Sequence, residues 1–248
     1  NVGAQDRAGG IWLAMLDSGL WYLPAQWNRF SVFMREKGRT GTLSSDYIGT
    51  HTVARAGHVW VAGNAGQVDL LDLASGAVRQ RVAYNTIDPD AGVATSLATG
   101  PDGVLWIGAN ASLIRHDSRA ARSRVWRASA DADAMLDEVV HAMQHDARGR
   151  LWVMGQASGL QWRDAEGRVL RTLRGEQRSG LPADVDLHAM RAGPDGTMWI
   201  SGTSGLYRWN ESADRFERVP GSHAGVTRDF VGDLHGSRVW TSHPDGIR

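Results

Sequence analysis

The 248-residue sequence predicts an all-β fold built from repeats, and three observations support this. A tryptophan flanked by apolar or β-branched residues recurs at spacings of 48, 46, 46, 47 and 41 residues. Glycine is abundant, with 30 residues, and tight-turn sequences such as Gly-Pro-Asp-Gly precede several of these tryptophans. A repeat of this length made of short strands and turns is typical of a β-propeller with one four-stranded blade per repeat. The recurring tryptophans are Trp12, Trp60, Trp106, Trp152, Trp199 and Trp240.

Each repeat contains the same elements in the same order. A short alternating segment, such as residues 93–99 or 139–146, is followed by a turn and then by the tryptophan strand. Proline presets φ and glycine accepts positive φ, so the turn at 100–103 suits a chain reversal. A small residue then opens a third strand, and a fourth short strand follows. In four repeats we expect the third strand to end at a short polar residue: Asp72, Asp117, Asp164 and Asn210.

These units divide the chain into blades that we expect to form one propeller domain. The predicted blades are 1–46, 47–93, 94–139, 140–186, 187–228 and a partial one at 229–248. The chain thus holds about five and a third repeats, whereas a seven-bladed ring at this period needs about 320 residues. Because both ends also fall inside predicted strands, we expect this to be part of a seven-bladed ring, with five-bladed closure as the alternative. The recurring tryptophans are interpreted as packing anchors between blades.

Composition excludes several classes of protein. Lys plus Arg and Asp plus Glu both number 27, and this balance argues against a nucleic-acid partner. The sequence contains no cysteine, so disulfides, zinc–thiolate sites and a cysteine nucleophile are excluded. No apolar run approaches the roughly 18 residues of a membrane span.

No sequence motif predicts a catalytic residue, a metal or a cofactor. Phosphate-binding loops, the G-x-S-x-G elbow and the H-E-x-x-H zinc motif are all missing from the sequence. His141 and His145 lie four residues apart, but in a strand this separation is about 13 Å. That distance is too long for one metal ion to bind both imidazoles.

A candidate ligand-binding site comes from aligning the blades. The residues eleven positions before each tryptophan are Asn1, Gly49, Thr95, His141, His188 and Asp229. The first strand of a propeller blade is innermost, so equivalent positions converge around the central channel. The polar members Thr95, His141, His188 and Asp229 are therefore predicted to bind a small polar ligand, a carbohydrate or a metal ion. The alternative is a wet channel that merely tolerates polar side chains.

One connection between blades carries an acidic run. Its members are Asp131, Asp133, Asp137 and Glu138. Recognition residues concentrate on loops held by a rigid scaffold. A solvated loop explains the run, and contact with a partner or a cation is the alternative.

The repeat reads D-x-x-G-x-[ILVM]-W-[ILV]-[GA], followed by G-[LIV]-x-x-[WL]-[DN], most clearly at 143–164 and 190–211. It resembles the two-component-regulator propeller repeat over essentially the whole chain. The copy at 41–60 lacks the Pro-Asp-Gly turn, Ser112 replaces the usual glycine, and the last copy has a shifted turn. The resemblance implies a periplasmic sensing ectodomain of a bacterial inner-membrane protein. Its output, a cytoplasmic histidine kinase or diguanylate cyclase, would lie outside this chain.

Three functions follow from this resemblance and from the fold. The first is a sensor segment, which would bind a small ligand or a protein without turnover. Such a segment would contact further blades and the membrane-anchored signalling domains of its parent protein, and it could form a homodimer. The repeat is also similar to that of streptogramin lyases, which are seven-bladed propellers that use a histidine base and a divalent cation. This resemblance implies that His141 or His188, together with Glu138, would take those roles in this chain. The third function is a passive protein-interaction scaffold. Propellers host many activities, so the fold alone does not decide among these.

Overall fold

In the computed structural model, the described residues form two compact units, Asn1–Met34 and Arg35–Arg248. The description covers all residues except 1, 9–10, 16–18, 24, 26–30, 137–138, 156–158, 175–177, 183–185, 194, 233–237 and 248. The first unit contains β1 (Val2–Gln5), β2 (Ile11–Met15) and β3 (Gly19–Leu23), which form an antiparallel sheet. Among the described residues up to 46, no fourth strand follows β3, although four were predicted for this blade.

The second unit contains four antiparallel sheets of four strands, each in chain order, and a last sheet of three. This architecture confirms the predicted all-β fold with four-stranded antiparallel blades. The first two are β4 (Ile48–Arg55), β5 (His58–Gly63), β6 (Val68–Asp72) and β7 (Val78–Val82), then β8 (Ala94–Thr99), β9 (Leu105–Ala109), β10 (Leu113–Asp117) and β11 (Arg122–Trp126). The next two are β12 (Val140–His145), β13 (Leu151–Gly155), β14 (Gly159–Arg163) and β15 (Val169–Arg174), then β16 (Leu187–Ala192), β17 (Met198–Gly202), β18 (Gly205–Asn210) and β19 (Arg215–Arg218). The last is β20 (Asp229–Gly232), β21 (Val239–His243) and β22 (Gly246–Ile247).

The first strands of successive sheets lie side by side. β4 lies beside β8, β8 beside β12, β12 beside β16, and β16 beside β20. This is the arrangement of propeller blades around an axis, with the first strand innermost. The seven-bladed ring stays a prediction.

Short polar side chains close the turn after the third strand, as the sequence predicted. The Asp117 carboxylate accepts the backbone N–H groups of Arg119 and Ala120 at 3.0 and 3.1 Å. The side-chain oxygen of Asn210 accepts those of Ser212 and Ala213 at 3.0 Å. Such Asx turns satisfy the turn's backbone donors locally and define where the fourth strand begins.

The core lies between neighbouring sheets, and the recurring tryptophans fill it. Trp152 is completely buried and contacts Trp209 and Phe216 of the next sheet, with ring centroids 5.5 and 6.0 Å apart. Trp60 and Trp106 are also buried, whereas Trp240 on the last sheet is 48% exposed. The tryptophans of the inner sheets therefore act as anchors between blades, as predicted.

One connection contains a helical turn, where the sequence predicted none. Residues Tyr84–Ile87 form α1 between β7 and β8. Tyr84 is fully buried, and its hydroxyl donates to the carbonyl of Gly92 and accepts the backbone N–H of Ala94, both at 3.0 Å. The turn thus positions an anchoring side chain rather than forming a helical layer.

Candidate functional site

The predicted channel residues lie on the inner strands at an irregularity in the strand pairing. In the pairing of β8 with β9, Ala94 lies opposite Ala109 and Ser96 opposite Gly108, so Thr95 is an extra residue on its strand. The same shift places Gly49, His141 and His188 as extra residues on β4, β12 and β16. A β-bulge of this kind turns a side chain away from the regular alternation.

The hydroxyl of Thr95 lies between two blades. It is within hydrogen-bonding distance of the Gly108 carbonyl in its own sheet, at 3.2 Å, and of the Val140 carbonyl at the start of β12. A hydroxyl has one proton, so it donates to one of these acceptors at a time. Thr95 is half-buried.

The two histidines make the same kind of contact one blade further on. Nε2 of His141 lies 3.1 Å from the carbonyl oxygen of His188, and Nδ1 of His188 lies 3.1 Å from the carbonyl oxygen of Thr227. A carbonyl only accepts, so each of these ring nitrogens carries a proton. In the neutral rings the other nitrogens remain hydrogen-bond acceptors.

Asp229 pairs with an arginine of the preceding blade. Its carboxylate accepts the Arg191 guanidinium through Nη2 at 3.0 and 2.9 Å and through Nε at 3.3 Å. Both side chains are about half exposed, so the pair contributes about 0–1 kcal/mol. Thr95, His141, His188 and Asp229 therefore form a series of contacts between blades.

The hydrogen bonds that these side chains already make limit which ligands they can bind. The donors of Thr95, His141 and His188 face backbone carbonyls, so a ligand reaching the free imidazole nitrogens would have to supply hydrogen-bond donors. Within the part of the chain that the structure describes, no three His, Cys, Asp or Glu side chains are placed to hold a metal ion. Asn1 lies outside the described residues, and Gly49 has no side chain to contribute.

The other predicted candidates have local partners. Nδ1 of His145 faces the Gly149 carbonyl at 3.3 Å within its own hairpin. The Asp131 carboxylate accepts the Ser129 hydroxyl at 2.9 Å, and Asp133 accepts the backbone N–H of Val169 at 2.9 Å. Asp137 and Glu138 lie outside the described residues. The two described members of the acidic run thus cap and anchor their loop.

Sequence reasoning missed a polar cleft between the fourth and fifth blades. It has a volume of about 550 Å³ and is lined by tryptophan, arginine and carboxylate side chains. Arg150 bridges the blades, donating to Asp146 at 2.6 Å and to Glu211 at 3.1 Å. The Asp146 carboxylate also accepts the indole N–H of Trp152 at 2.8 Å, and Glu211 accepts that of Trp209 at 2.8 Å.

The charges in this cleft satisfy one another. Burial raises the pKa of Glu211, but hydrogen bonds from Arg150 and Trp209 outweigh it and hold that pKa below its usual value. Burial likewise lowers the pKa of Arg150, and its bonds to Glu211 and Asp146 raise it overall. The cleft therefore forms a charged seam between blades whose main polar groups already have partners.

A fully buried arginine anchors the loop that carries the acidic run. Arg163, with no exposed surface, donates to the carbonyls of Asp133, Ala134 and Gly167 and to the side chain of Gln161, at 2.7–2.9 Å. Burial lowers its pKa to about 10, against the opposing effect of Asp133. The arginine at the end of GLQWR, a strand whose residues are all buried, was a signal for this role.

Comparisons with known proteins agree on the fold. No family model and no curated protein matches the chain. The extracellular domain of BT3049 from B. thetaiotaomicron, described as a hybrid two component system, matches 99% of this chain with a TM-score of 0.63 and 14% identity. The extracellular domain of BT4673 from the same organism, described as a one component system, matches 99% with a TM-score of 0.60 and 12% identity. This chain spans 32% and 31% of those two chains.

These similarities establish the propeller fold. They agree with the two-component-regulator propeller repeat that the sequence resembles. Among the described residues, no helix is long and apolar enough to cross a membrane.

Proposed function

We propose that this chain is a sensing propeller segment of an extracytoplasmic bacterial receptor. The observation that carries the proposal is the match over 99% of the chain to two extracellular domains whose parent proteins are described as signalling systems. The repeat resemblance supports the same conclusion. On this proposal the segment lies in the periplasm and binds a small ligand or a protein partner without turnover.

The signal passes to domains outside this chain, a histidine kinase or a diguanylate cyclase beyond the membrane. This part of the proposal rests on the repeat resemblance, and the partial span of the matched chains is compatible with it. The candidate ligand positions remain Thr95, His141, His188 and Asp229. Because their protonated donors face backbone carbonyls, the ligand would be one that donates hydrogen bonds.

The proposal includes further blades in a seven-bladed ring. In the inner sheets the recurring tryptophan is covered by the next blade, as Trp152 is by Trp209 and Phe216. The corresponding Trp240 is 48% exposed, and Val239 beside it is 37% exposed. A further sheet stacked on the face that carries Trp240 would bury this indole, whereas Val239 faces the other side of the strand.

The location is tested with reporter fusions in cells. Alkaline phosphatase joined to the natural protein after Asp164, in the turn between β14 and β15, would be active only outside the cytoplasm. We expect phosphatase activity, and no activity from β-galactosidase joined at the same residue. The opposite pattern would place the segment in the cytoplasm and refute the proposal.

Binding is tested on the intact purified protein by thermal shift with a panel of defined sugars, amino acids and organic acids. We expect at least one compound to raise Tm in a concentration-dependent way and to be recovered unchanged. Conversion of the compound would favour the enzyme alternative. If no compound binds, the scaffold alternative is favoured.

A further inference from the structure

The inner strands share an irregularity in their pairing with the second strands. Four consecutive blades carry a one-residue bulge at the same position, occupied by Gly49, Thr95, His141 and His188. A bulge is a local cost in strand pairing, and bulges re-aim side chains. Its repetition at equivalent positions indicates a shared role.

The side chain at each bulge, where there is one, reaches the next blade. Thr95 contacts the Val140 carbonyl, His141 the His188 carbonyl and His188 the Thr227 carbonyl. All three contacts run in the same direction along the chain. All three use a side-chain donor and a backbone carbonyl acceptor.

We infer that the bulged residue is a latch between neighbouring blades: its side-chain donor joins one inner strand to the backbone of the next blade. The proposal does not depend on the chain being a sensor, because it concerns how any such propeller is assembled.

The two histidines allow a reciprocal test, because each uses a different ring nitrogen. The Asn side-chain N–H₂ occupies the place of Nδ1, and that of Gln reaches the place of Nε2. His188→Asn should therefore preserve the latch that His188→Gln loses, whereas His141→Gln should preserve the latch that His141→Asn loses. His188→Ala and His141→Ala remove both donors.

The readout is amide hydrogen exchange of the intact protein, followed over residues 187–192 and 226–230. The N–H of Thr227 is a local reporter because it donates to the Gly202 carbonyl at 2.9 Å. Losing a latch should speed amide exchange in the strands that it joins by about five- to tenfold, which corresponds to the loss of about one net hydrogen bond. The donor-preserving variants should exchange within about twofold of the natural protein.

Opposite rankings at the two positions are the expected result. If the histidines only fill space, Gln and Asn will rank in the same order at 141 and 188, and the latch is refuted.

Discussion

Nε2 of His141 lies 3.1 Å from the backbone carbonyl oxygen of His188, the residue at the same position one blade further along the chain. Two residues that the sequence suggested as neighbours around a channel are thus joined side chain to backbone. The contact explains why polar residues are compatible with an otherwise apolar strand, since each has an acceptor. Only the ring nitrogens that do not face a backbone carbonyl are then available to accept a hydrogen bond from a ligand.

Asp146→Ala should destabilise the fourth blade by about 2 kcal/mol, because the buried indole N–H of Trp152 and the half-buried Nε of Arg150 lose their acceptor. Urea unfolding followed by tryptophan fluorescence measures this loss. The matched control is Asp195→Ala in the corresponding turn of the next blade, where the Asp195–Arg208 pair is half exposed. The control should cost less than about 1 kcal/mol. Equal losses in both variants would contradict the assigned role of Asp146.

Gly193→Asp should stabilise the fifth blade. The indole N–H of Trp199 is buried and has no partner among the residues that the structure describes, and a Cβ on Gly193 would lie 3.0 Å from that nitrogen. A slight shift of the ring would let the new carboxylate accept the N–H, as Asp146 does for Trp152, with a gain of about 1 kcal/mol.

Thermal unfolding measures this gain, and Gly196→Asp serves as the control. Gly196 has a φ of +72°, and a Cβ there would lie 2.4 Å from the Cβ of Ala147. The control should therefore lower Tm. A lower Tm for Gly193→Asp as well would show that the Trp199 indole cannot adopt the paired geometry.

Arg163→Lys should be costly although it keeps the positive charge. The guanidinium donates four hydrogen bonds in a completely buried site, and an ammonium group cannot reproduce its planar fork. We expect a loss of about 3 kcal/mol in the free energy of unfolding. Arg168→Lys on the surface of the same blade, where the arginine side chain is 68% exposed, should cost under about 0.5 kcal/mol. Comparable losses would show that Arg163 is not the anchor of the 131–134 loop.

The stability of the protein should fall as the pH falls from 7 towards 5, partly because of His145. Burial lowers the pKa of His145 in the folded state, while the unfolded value is about 6.5. The neutral form is therefore favoured by folding, so the contribution is complete above about pH 6.5 and is lost as the pH falls through the folded pKa. His145→Asn should flatten this pH dependence in urea titrations at a series of pH values.

His116 supplies an independent check of the sign. Burial lowers its pKa too, although Asp117 opposes the effect. His116→Asn should also make stability less dependent on pH in the same window. A steeper dependence in either variant would mean that the histidine is stabilised in its charged form instead.

Much of the fold was predictable because each repeat carries its own local signals. The tryptophan period placed the sheets, and the short polar residues at Asp117 and Asn210 marked the ends of third strands through turn chemistry. The helical turn at Tyr84–Ile87 was not predicted, because four residues are too few to show helical periodicity.

The site was less predictable, for reasons of geometry. Spacing alone placed Thr95, His141 and His188 at equivalent inner positions, but a one-residue bulge has no distinct sequence pattern. The direction in which these side chains point was therefore hidden. Arg150 and Glu211 lie in different repeats and are 61 residues apart in the sequence, so no local motif reveals their contact.

If this propeller is the sensing segment of a receptor, loss of its gene should change gene expression. RNA sequencing would compare cells with and without the intact gene across defined nutrient conditions. We expect a small set of transcripts to respond to one condition only when the gene is intact. A response that is identical in both strains under every condition would contradict the claim.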